Sequence, residues 1–353
     1  MHFASDNWAA PVPEVARALA GLAGEGRAQA YGGDATSARA EALLSAFFGR
    51  DVTVAFTGTG TASNGIALAA LGRPGGIAFC HVDAHVIADE ANAPMFFAHG
   101  LKLQPVPGAR GRMDPAALSE AIARHPPGDY RHGTPVAISL TQVTEVGTCH
   151  TLGEIAALTA IARARGLAVH MDGARFANAL AFLDVSPADM TWRAGVDVVS
   201  LGFTKLGAWC AEAVVAFDDG LREEILVRRK IAGHEFSKMR FAAVQFVAML
   251  EDHAWLRHAR HANGMAARFV EAVEATGRAR PAWPCQSNEV FLAMDVDLAD
   301  RLVAAGARFY RWDAEGTVAE DQPVAGEAVY RFVMDHATNE AEIDGFAARL
   351  AAA

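Results

Sequence analysis

The sequence is poor in basic side chains and in cysteine. Lysine and arginine number 31 against 41 aspartates and glutamates, which gives a formal net charge of −10 at pH 7. A chain this acidic offers no basic stripe to a phosphate backbone, so a nucleic-acid partner is not expected. The 4 cysteines are widely separated, form no CxxC pair and have no histidines at metal-ligand spacing. This pattern excludes a zinc or disulfide scaffold and favours a reducing, cytoplasmic location.

Long apolar runs are also missing. No uncharged stretch reaches the length of about 20 residues that a membrane span requires. The first residues lack the basic and apolar regions of a secretory signal. By contrast, 52% of the 353 residues are hydrophobic, which is enough to build a full core and more than a disordered chain contains. We therefore expect a large globular protein without a membrane partner.

Short apolar runs alternate with helical patterns through the first two thirds of the chain. Strands are predicted at 51–56, 76–81, 135–140, 167–171, 196–201 and 213–217. Helices are predicted between them at 61–71, 114–124, 154–165 and 175–183. This alternation is typical of βαβ units and of a parallel sheet covered on both faces, with functional groups gathered at the strand ends.

The pattern changes after Gly220. Two longer helices rich in basic residues are predicted at 221–230 and 239–251, and a smaller αβ unit follows from residue 253. Its predicted elements are a helix to about 276, a strand at 289–294, a helix to 305, strands near 307 and 329, and a helix at 339–350. The chain is thus expected to form one large unit and one smaller unit.

A segment rich in glycine and threonine follows the first predicted strand. Residues 57–64 offer free backbone N–H groups, hydroxyls and the positive end of a helix dipole, which together suit a phosphate group. The spacing Gly58-x-Gly60-x-x-Ser63, with Asp83 farther on, also resembles a dinucleotide fingerprint. A glycine-rich turn with capping threonines and no ligand is a third interpretation. The segment by itself does not decide among them.

Two charged side chains follow later predicted strands. Asp172 ends a buried strand, where a carboxylate needs a cation such as a pyridinium nitrogen; alternatively, it caps the next helix and pairs with Arg175 at the surface. Lys205 follows the strand at 196–201 in a turn of small residues, which suits Schiff-base formation. A phosphate loop, an acid and a lysine in this order are typical of aminotransferase-fold enzymes that hold pyridoxal phosphate. The dinucleotide interpretation becomes a minor alternative.

Motifs along nearly the whole chain resemble those of L-threonine aldolases, especially the bacterial low-specificity form, within the β-eliminating lyase group. They lie at 3–7, 31–34, 59–64, 80–85, 170–178, 190–197, 204–205, 237–241 and 331–333. The resemblance implies an aminotransferase-like (fold type I) α/β protein with a mostly parallel central sheet. It implies an N-terminal arm at 1–13 that contributes to the active site, a large cofactor domain at 14–252 and a smaller C-terminal α+β domain at 253–353.

The resemblance also implies the reaction and the assembly. It implies that pyridoxal 5'-phosphate serves the reversible cleavage of L-threonine, L-allo-threonine or related β-hydroxy-α-amino acids to glycine and an aldehyde. Lys205 matches the Schiff-base lysine, Asp172 matches the partner of the pyridine nitrogen, and His85 matches the residue that stacks on the ring. A homodimer is the implied minimal active unit, and a homotetramer is expected.

The remaining site residues are assigned by the same resemblance. Those implied to bind the cofactor are Thr59, Gly60 and Thr61 at the phosphate, Arg175, and Arg240, which would reach the phosphate of a neighbouring subunit. Those implied to bind the substrate are Ser5, Arg175 and Arg331 at its carboxylate, with Tyr31 and Glu90 lining the rest.

One loop departs from the family. Many threonine aldolases carry a second histidine after the strand predicted at 135–140, where this chain has Glu145 near the expected position. The base for the β-hydroxyl proton is therefore either His85 or a water that His85 orients. Alternatives on the same fold are an aldolase for phenylserine or hydroxyaspartate, a β-eliminating lyase, a serine-hydroxymethyltransferase-like enzyme and an inactive binding protein. No metal site is expected, because the set His253, His258 and His261 lacks an acidic or cysteine partner and is interpreted as a solvated helix face.

Overall fold

The computed structural model describes residues 1–312 and 321–353. The strands within these residues form two sheets. The strands are β1 Thr53–Thr57, β2 Gly76–His81, β3 Lys102–Val106, β4 Thr134–Thr141, β5 Ala168–Gly173, β6 Val198–Gly202, β7 Glu212–Ala216, β8 Ala279–Pro281, β9 Glu289–Asp295, β10 Tyr310–Trp312 and β11 Glu327–Val333.

Helices cover both sheets. The helices are α1 Pro13–Gly24, α2 Ala35–Phe48, α3 Gly60–Leu71, α4 His85–Ala88, α5 Ala93–Phe97, α6 Pro115–Ala123, α7 Leu152–Ala164, α8 Phe176–Leu183, α9 Pro187–Met190, α10 Arg222–Ile231, α11 Arg240–Leu250, α12 Ala254–Glu274, α13 Val296–Ala304 and α14 Glu340–Ala352. None of them, in the part of the chain that the structure describes, has the length and apolar content to cross a bilayer.

The central sheet has seven strands in the order β1-β7-β6-β5-β4-β2-β3. The strands from β3 to β6 run parallel to their neighbours, whereas β7 is antiparallel to both β6 and β1. Every residue of β1, β2, β6 and β7 is buried, as expected of strands covered by helices on both faces. Because β1 and β6 are each antiparallel to β7, the carboxyl ends of β1, β5 and β6 meet at one edge of the sheet.

A smaller antiparallel sheet has the order β10-β11-β9-β8 and packs against α12, α13 and α14. Its core is aromatic: the rings of Phe269, Phe332 and Phe346 are buried together. Phe3, from the start of the chain, is fully buried among these three rings. The backbone N–H of Val333 donates to the carbonyl of Phe3 at 2.8 Å. The first residues are therefore anchored on the C-terminal sheet.

The structure corrects several predictions. The expectation of a mostly parallel central sheet is confirmed, with β7 as its antiparallel member; β3, α1 and α2 were not predicted. The strand expected near residue 307 lies at β10 instead, and Arg308 forms only an isolated bridge with His2. The dinucleotide interpretation is wrong as well, because β1 lies at an edge of the sheet beside an antiparallel strand. It therefore does not open the parallel βαβ unit that such a site requires.

Candidate active site

A cavity of about 280 Å³ opens where β1, β5 and β6 end. It brings together the three sequence features singled out above, which lie far apart along the chain. Its lining residues are Asn7, Gly58, Thr59, Gly60, Thr61, Asn64, His85, Glu90, Glu145, Asp172, Ala174, Thr204, Lys205 and Glu212.

The glycine- and threonine-rich segment turns directly into α3. The side chain of Thr59 caps this helix by accepting the N–H of Ala62 at 3.2 Å. The N–H groups of Gly60 and Thr61, in the first turn, have no partner within the helix. They face the cavity at the positive end of the helix dipole, which suits an anionic group such as a phosphate. The N–H of Gly58 is already used, since it donates to Nδ1 of His234 at 3.1 Å.

A chain of buried side chains joins Asp172 to His85. The amide Nδ2 of Asn64 donates to Oδ2 of Asp172 and to Oε1 of Glu90, both at 2.8 Å. The same Glu90 oxygen lies 2.8 Å from Nδ1 of His85. Oδ1 of Asp172 also accepts the N–H of Ala174 at 3.0 Å, which fixes the carboxylate in the cavity wall.

Burial and the hydrogen bond between His85 and Glu90 shift the pKa values of both residues. The hydrogen bond to Glu90 raises the pKa of His85, and burial opposes that shift. Burial raises the pKa of Glu90, while its bonds to His85 and Asn64 act in the opposite direction. With Nδ1 bonded to Glu90, the Nε2 atom of His85 remains available to a ligand in the cavity.

Lys205 lies just beyond β6, in the turn Thr204–Leu206. Its side chain lines the cavity, and no hydrogen bond or ion pair holds its amine within residues 1–312 and 321–353. Glu212, at the start of β7, is buried nearby, and burial raises its pKa to about 7. A neutral Glu212 can sit beside the glycine-rich segment without repelling an anion held there.

These residues fit pyridoxal phosphate. An unpaired amine, a fixed carboxylate, an imidazole and a helix N-terminus face one cavity, and each matches a different part of the cofactor. Lys205 would form the Schiff base, and Asp172 would face the ring nitrogen. His85 would lie against the ring, and Gly60 and Thr61 would hold the phosphate.

The arginines expected to hold the substrate carboxylate already have acidic partners. Nε and Nη2 of Arg175 donate to the two carboxylate oxygens of Asp6 at 2.8 and 3.1 Å. Nη1 of Arg175 lies 3.1 Å from Oε2 of Glu289, and Nη1 of Arg331 lies 4.0 Å from Oε1 of the same residue. Burial alone would lower the pKa of Arg175, but these carboxylates raise it. Arg331 Nη2 also donates to the carbonyl of Ala4 at 3.4 Å, next to Ser5.

The pairing of Arg175 with Asp6 excludes the alternative in which Arg175 pairs with Asp172 at the surface. Arg175 is buried and bonded to Asp6, so it is not a surface partner of Asp172. Ser5 accepts the N–H of Asn7 at 3.1 Å and caps the turn Asp6–Trp8.

Five predicted site residues are not among those that line this cavity: Ser5, Arg175 and Arg331, described above, and Tyr31 and Arg240. Tyr31 is 56% exposed, and the amine of Lys230 lies 5.4 Å from the centre of its ring. Arg240 donates to the carbonyl of Gly26 at 3.4 Å, and its Nε has no hydrogen-bond partner among the described residues. Neither Tyr31 nor Arg240 lines the cavity of its own chain.

The expectation of a solvated histidine face on α12 is wrong for two of its members. His258 is half-buried, with Nε2 3.5 Å from Glu14 and its ring against His336. The Nε2 of His261 lies 2.8 Å from the carbonyl oxygen of Thr338. Both rings therefore help to attach α12 to its surroundings.

Sequence reasoning missed several residues of the site. Asn64 was recognised within a motif but not as the link between Asp172 and Glu90, although its place one turn after Gly60 puts it on the cavity side of α3. The sequence analysis did not predict the burial of three acidic residues, Asp6, Glu212 and Glu289. Their positions beside Ser5 and at the starts of two strands are the only features that set them apart.

Comparisons with known proteins show the family of this chain. The family model described as beta-eliminating lyase matches residues 2–296. The chain is 41% identical over 314 residues to a low specificity L-threonine aldolase of Pseudomonas aeruginosa, covering 89% of this chain and 90% of that protein.

Solved structures show the same fold. A threonine aldolase of Leishmania major superposes with a TM-score of 0.89 at 26% identity, covering 99% of this chain and 98% of that chain. A structure titled SPT, with PLP bound, superposes with a TM-score of 0.71 at 16% identity, covering 100% of this chain and 86% of that one.

The fold and the cavity together define a pyridoxal-phosphate enzyme of fold type I. Within that class, the chain belongs to the beta-eliminating lyase family, whose model it matches over most of its length.

Proposed function

We propose that the protein is a pyridoxal-phosphate-dependent aldolase that cleaves L-threonine, L-allo-threonine or a related β-hydroxy-α-amino acid to glycine and an aldehyde. The observation that carries the proposal is the unpaired amine of Lys205 in one cavity with the fixed carboxylate of Asp172. The 41% identity to a low specificity L-threonine aldolase supports the choice of substrate.

Each side chain then has a task. Pyridoxal phosphate, when bound, supplies an electron sink for the electrons of the broken Cα–Cβ bond. Asp172 holds a proton at the ring nitrogen, and Asn64 holds Asp172 in place. Arg331 and Ser5 would orient the substrate carboxylate, and with it the Cα–Cβ bond. Lys205 would hold the cofactor between turnovers.

His85 is the proposed base for the β-hydroxyl proton. Its Nδ1 is bonded to Glu90, so its Nε2 carries the lone pair that accepts a proton. Glu145 also faces the cavity, in the place where many relatives carry a histidine. We propose that a water between these two side chains is the second route for the proton.

The assembly and the location are part of the same proposal. Tyr31 is exposed, Arg240 is half-buried, and neither lines its own cavity, which supports a homodimer in which they complete the neighbour's site, and a homotetramer built from two dimers. A cytoplasmic location is supported by the 4 cysteines, all of which are free thiols in this structure. Native mass spectrometry beside denaturing mass tests the assembly, and an active monomer would contradict it.

The first experiment combines a spectrum with a product assay. The purified protein is expected to show a visible absorption band that shifts to longer wavelength with glycine, and to release glycine and acetaldehyde from L-threonine. Lys205→Ala should abolish both, while Lys102→Ala, at an exposed position on β3, should leave both unchanged.

Other outcomes would select another function. Ammonia and a keto acid in place of glycine would indicate a β-eliminating lyase. A preference for phenylserine or hydroxyaspartate would indicate an aldolase of different specificity. A colourless protein that responds neither to added cofactor nor to glycine would indicate a binding protein.

A further inference from the structure

Glu289 is a buried carboxylate beside Arg175 and Arg331, the two arginines expected to bind the substrate carboxylate. Glu289 is 1% exposed at the start of β9. It lies 3.1 Å from Nη1 of Arg175 and 4.0 Å from Nη1 of Arg331. Within the described residues, neither of its oxygens accepts a hydrogen bond of good geometry. A buried carboxylate that accepts no such hydrogen bond is held in its ionised form at a considerable cost, even beside two guanidinium groups.

Asp6 is held far more tightly. It accepts two hydrogen bonds from Arg175 and a third, at 3.1 Å, from Nδ2 of Asn288. Burial disfavours its ionised form, but Arg175 and Lys205 outweigh burial and keep the pKa of Asp6 below its usual value. Of the two acids beside these arginines, Glu289 is therefore the one that can accept a proton at small cost.

The charges of this group are already balanced before a substrate arrives. Two guanidinium groups, of Arg175 and Arg331, face two carboxylates, of Asp6 and Glu289. Arg331 is the less occupied arginine, because its Nε has no partner within the described residues and Nη1 is far from Glu289. A substrate carboxylate at Arg331 adds a third negative charge to a largely buried site. Carboxylates this close cannot all remain ionised.

We propose that Glu289 takes up one proton from solvent when the carboxylate of an amino acid binds at Arg331, so that amino-acid binding is linked to protonation. The proton forms an O–H bond on Glu289 and neutralises it, and Arg331 turns its charge to the ligand. The inference rests on the proposed function for the α-amino acid as the ligand and for Arg331 as the partner of its carboxylate. It makes Glu289 a positioning residue rather than a catalytic one.

The other titratable groups around Glu289 either favour its protonated form or stay neutral. Glu145, from the loop after β4, adds negative charge. The thiol of Cys285, from the loop before β9, stays protonated because burial raises its pKa to about 11. Burial raises the pKa of Glu289 to about 7, although Arg175 and Arg331 oppose the shift. Its titration therefore falls in the range where enzyme assays are made.

Calorimetry of the cofactor-loaded enzyme measures the linked proton directly. Glycine is titrated at pH 8 in buffers of different ionisation enthalpy, and the same is done with glycinamide, which has an amine but no carboxylate. Because the free amines of the two ligands differ in pKa, the difference in proton uptake between glycine and glycinamide is compared among the enzymes. The wild-type difference should exceed that of Glu289→Gln by up to about one proton, and Glu289→Asp should behave as the wild type does.

The affinity should follow the same linkage. Above pH 7, the wild-type affinity for glycine should fall by up to about tenfold per pH unit relative to that of Glu289→Gln, because only the wild type must take up a proton. The same difference in proton uptake between glycine and glycinamide in the wild type and in Glu289→Gln would overturn the proposal. A Glu289→Gln enzyme that folds but fails to bind glycine at every pH would show a purely structural role, and would overturn it too.

A threonine cleavage assay on the same samples separates this inference from the proposed function. Aldehyde release without the extra proton would leave the aldolase in place and remove the linkage. The extra proton without aldehyde release would keep the linkage and remove the aldolase.

Discussion

Nδ1 of His85 lies 2.8 Å from Oε1 of Glu90, and Asn64 bonds to the same oxygen. Glu90 thus does more than line the substrate side. It sets the orientation of the imidazole and its proton affinity, and through Asn64 it is joined to Asp172 on the other side of the cavity. The residues that would contact the ring nitrogen and the face of the ring therefore belong to one hydrogen-bonded unit.

Replacing Glu90 by Gln should shift the pH dependence of the reaction. The bond to Glu90 raises the pKa of His85, so the wild-type base is protonated up to a higher pH. In Glu90→Gln, the pKa of His85 falls, and the acid limb of kcat should move to lower pH. The pH profile of threonine cleavage measures the shift. Asp83→Asn, an exposed acid on the same connection, is the control, and an acid limb common to all three enzymes would contradict this role.

Replacing Asp6 by Asn should destabilise the protein. Removal of one partner leaves Arg175 under-compensated in a buried site, at a cost of about 3 kcal/mol in the free energy of unfolding. Because the folded-state pKa of Asp6 is below the usual 3.8, its contribution is present above that pH and is lost as the pH falls further. Urea unfolding at pH 7 and pH 3 should show a large difference between wild type and variant that narrows in acid. An equal difference at both pH values would contradict it.

Replacing Phe3 by Ala should affect both stability and substrate binding. Phe3 is fully buried against three aromatic rings, and its truncation should cost about 3–5 kcal/mol. Since Ser5 and Asp6 follow directly, KM for the amino acid should rise more than kcat falls. Urea unfolding and steady-state kinetics measure the two effects, with the 44% exposed Phe182→Ala as control. A destabilised variant with an unchanged KM would show that the anchor does not position these two residues.

Replacing His170 by Gln should make the protein less sensitive to mild acid. Burial lowers the pKa of His170 to about 4, and its ring nitrogens each lie 2.9 Å from a serine hydroxyl, of Ser139 and Ser200. The unfolded chain binds this proton near pH 6.5, so the wild type loses stability as the pH falls from 6.5 to about 4, by up to about 3 kcal/mol. Chemical unfolding across this range should show a shallower decline for the variant. The exposed His132→Gln should follow the wild type.

Much of the site could be predicted because its chemistry sits where strands end. Asp172 and Lys205 each follow a short apolar run, and the sheet rule brings such positions together. The direction of β7 is also predictable from the sequence. Only residues 203–211 separate β6 from β7, and they are too few for the helical crossover that a parallel neighbour requires. The strand must therefore turn back.

The positions of strand ends do not predict that Asp6 and Glu289 lie beside the arginines of the site. Asp6 and Arg175 are 169 positions apart, and nothing local marks their contact. Glu289 follows two polar residues and precedes an apolar run at the start of a strand, where a glutamate exposed to solvent is common. Its burial follows from the packing of the loop around Gly147 over the strand, where the ideal Cβ of Gly147 would lie 3.1 Å from Glu289 Cβ. Such packing is a property of the whole fold.

The attachment of the first residues to β11 has a consequence for synthesis. Arg331 contacts Ala4 across 327 positions of sequence, and Phe3 is paired with Val333. On the ribosome, the glycine-rich segment, Asp172 and Lys205 emerge long before β11 does. A growing chain can therefore assemble the cofactor half of the cavity while the amino-acid half is still missing. Recognition of the substrate begins only when the last strand has been made and the first residues have returned to it.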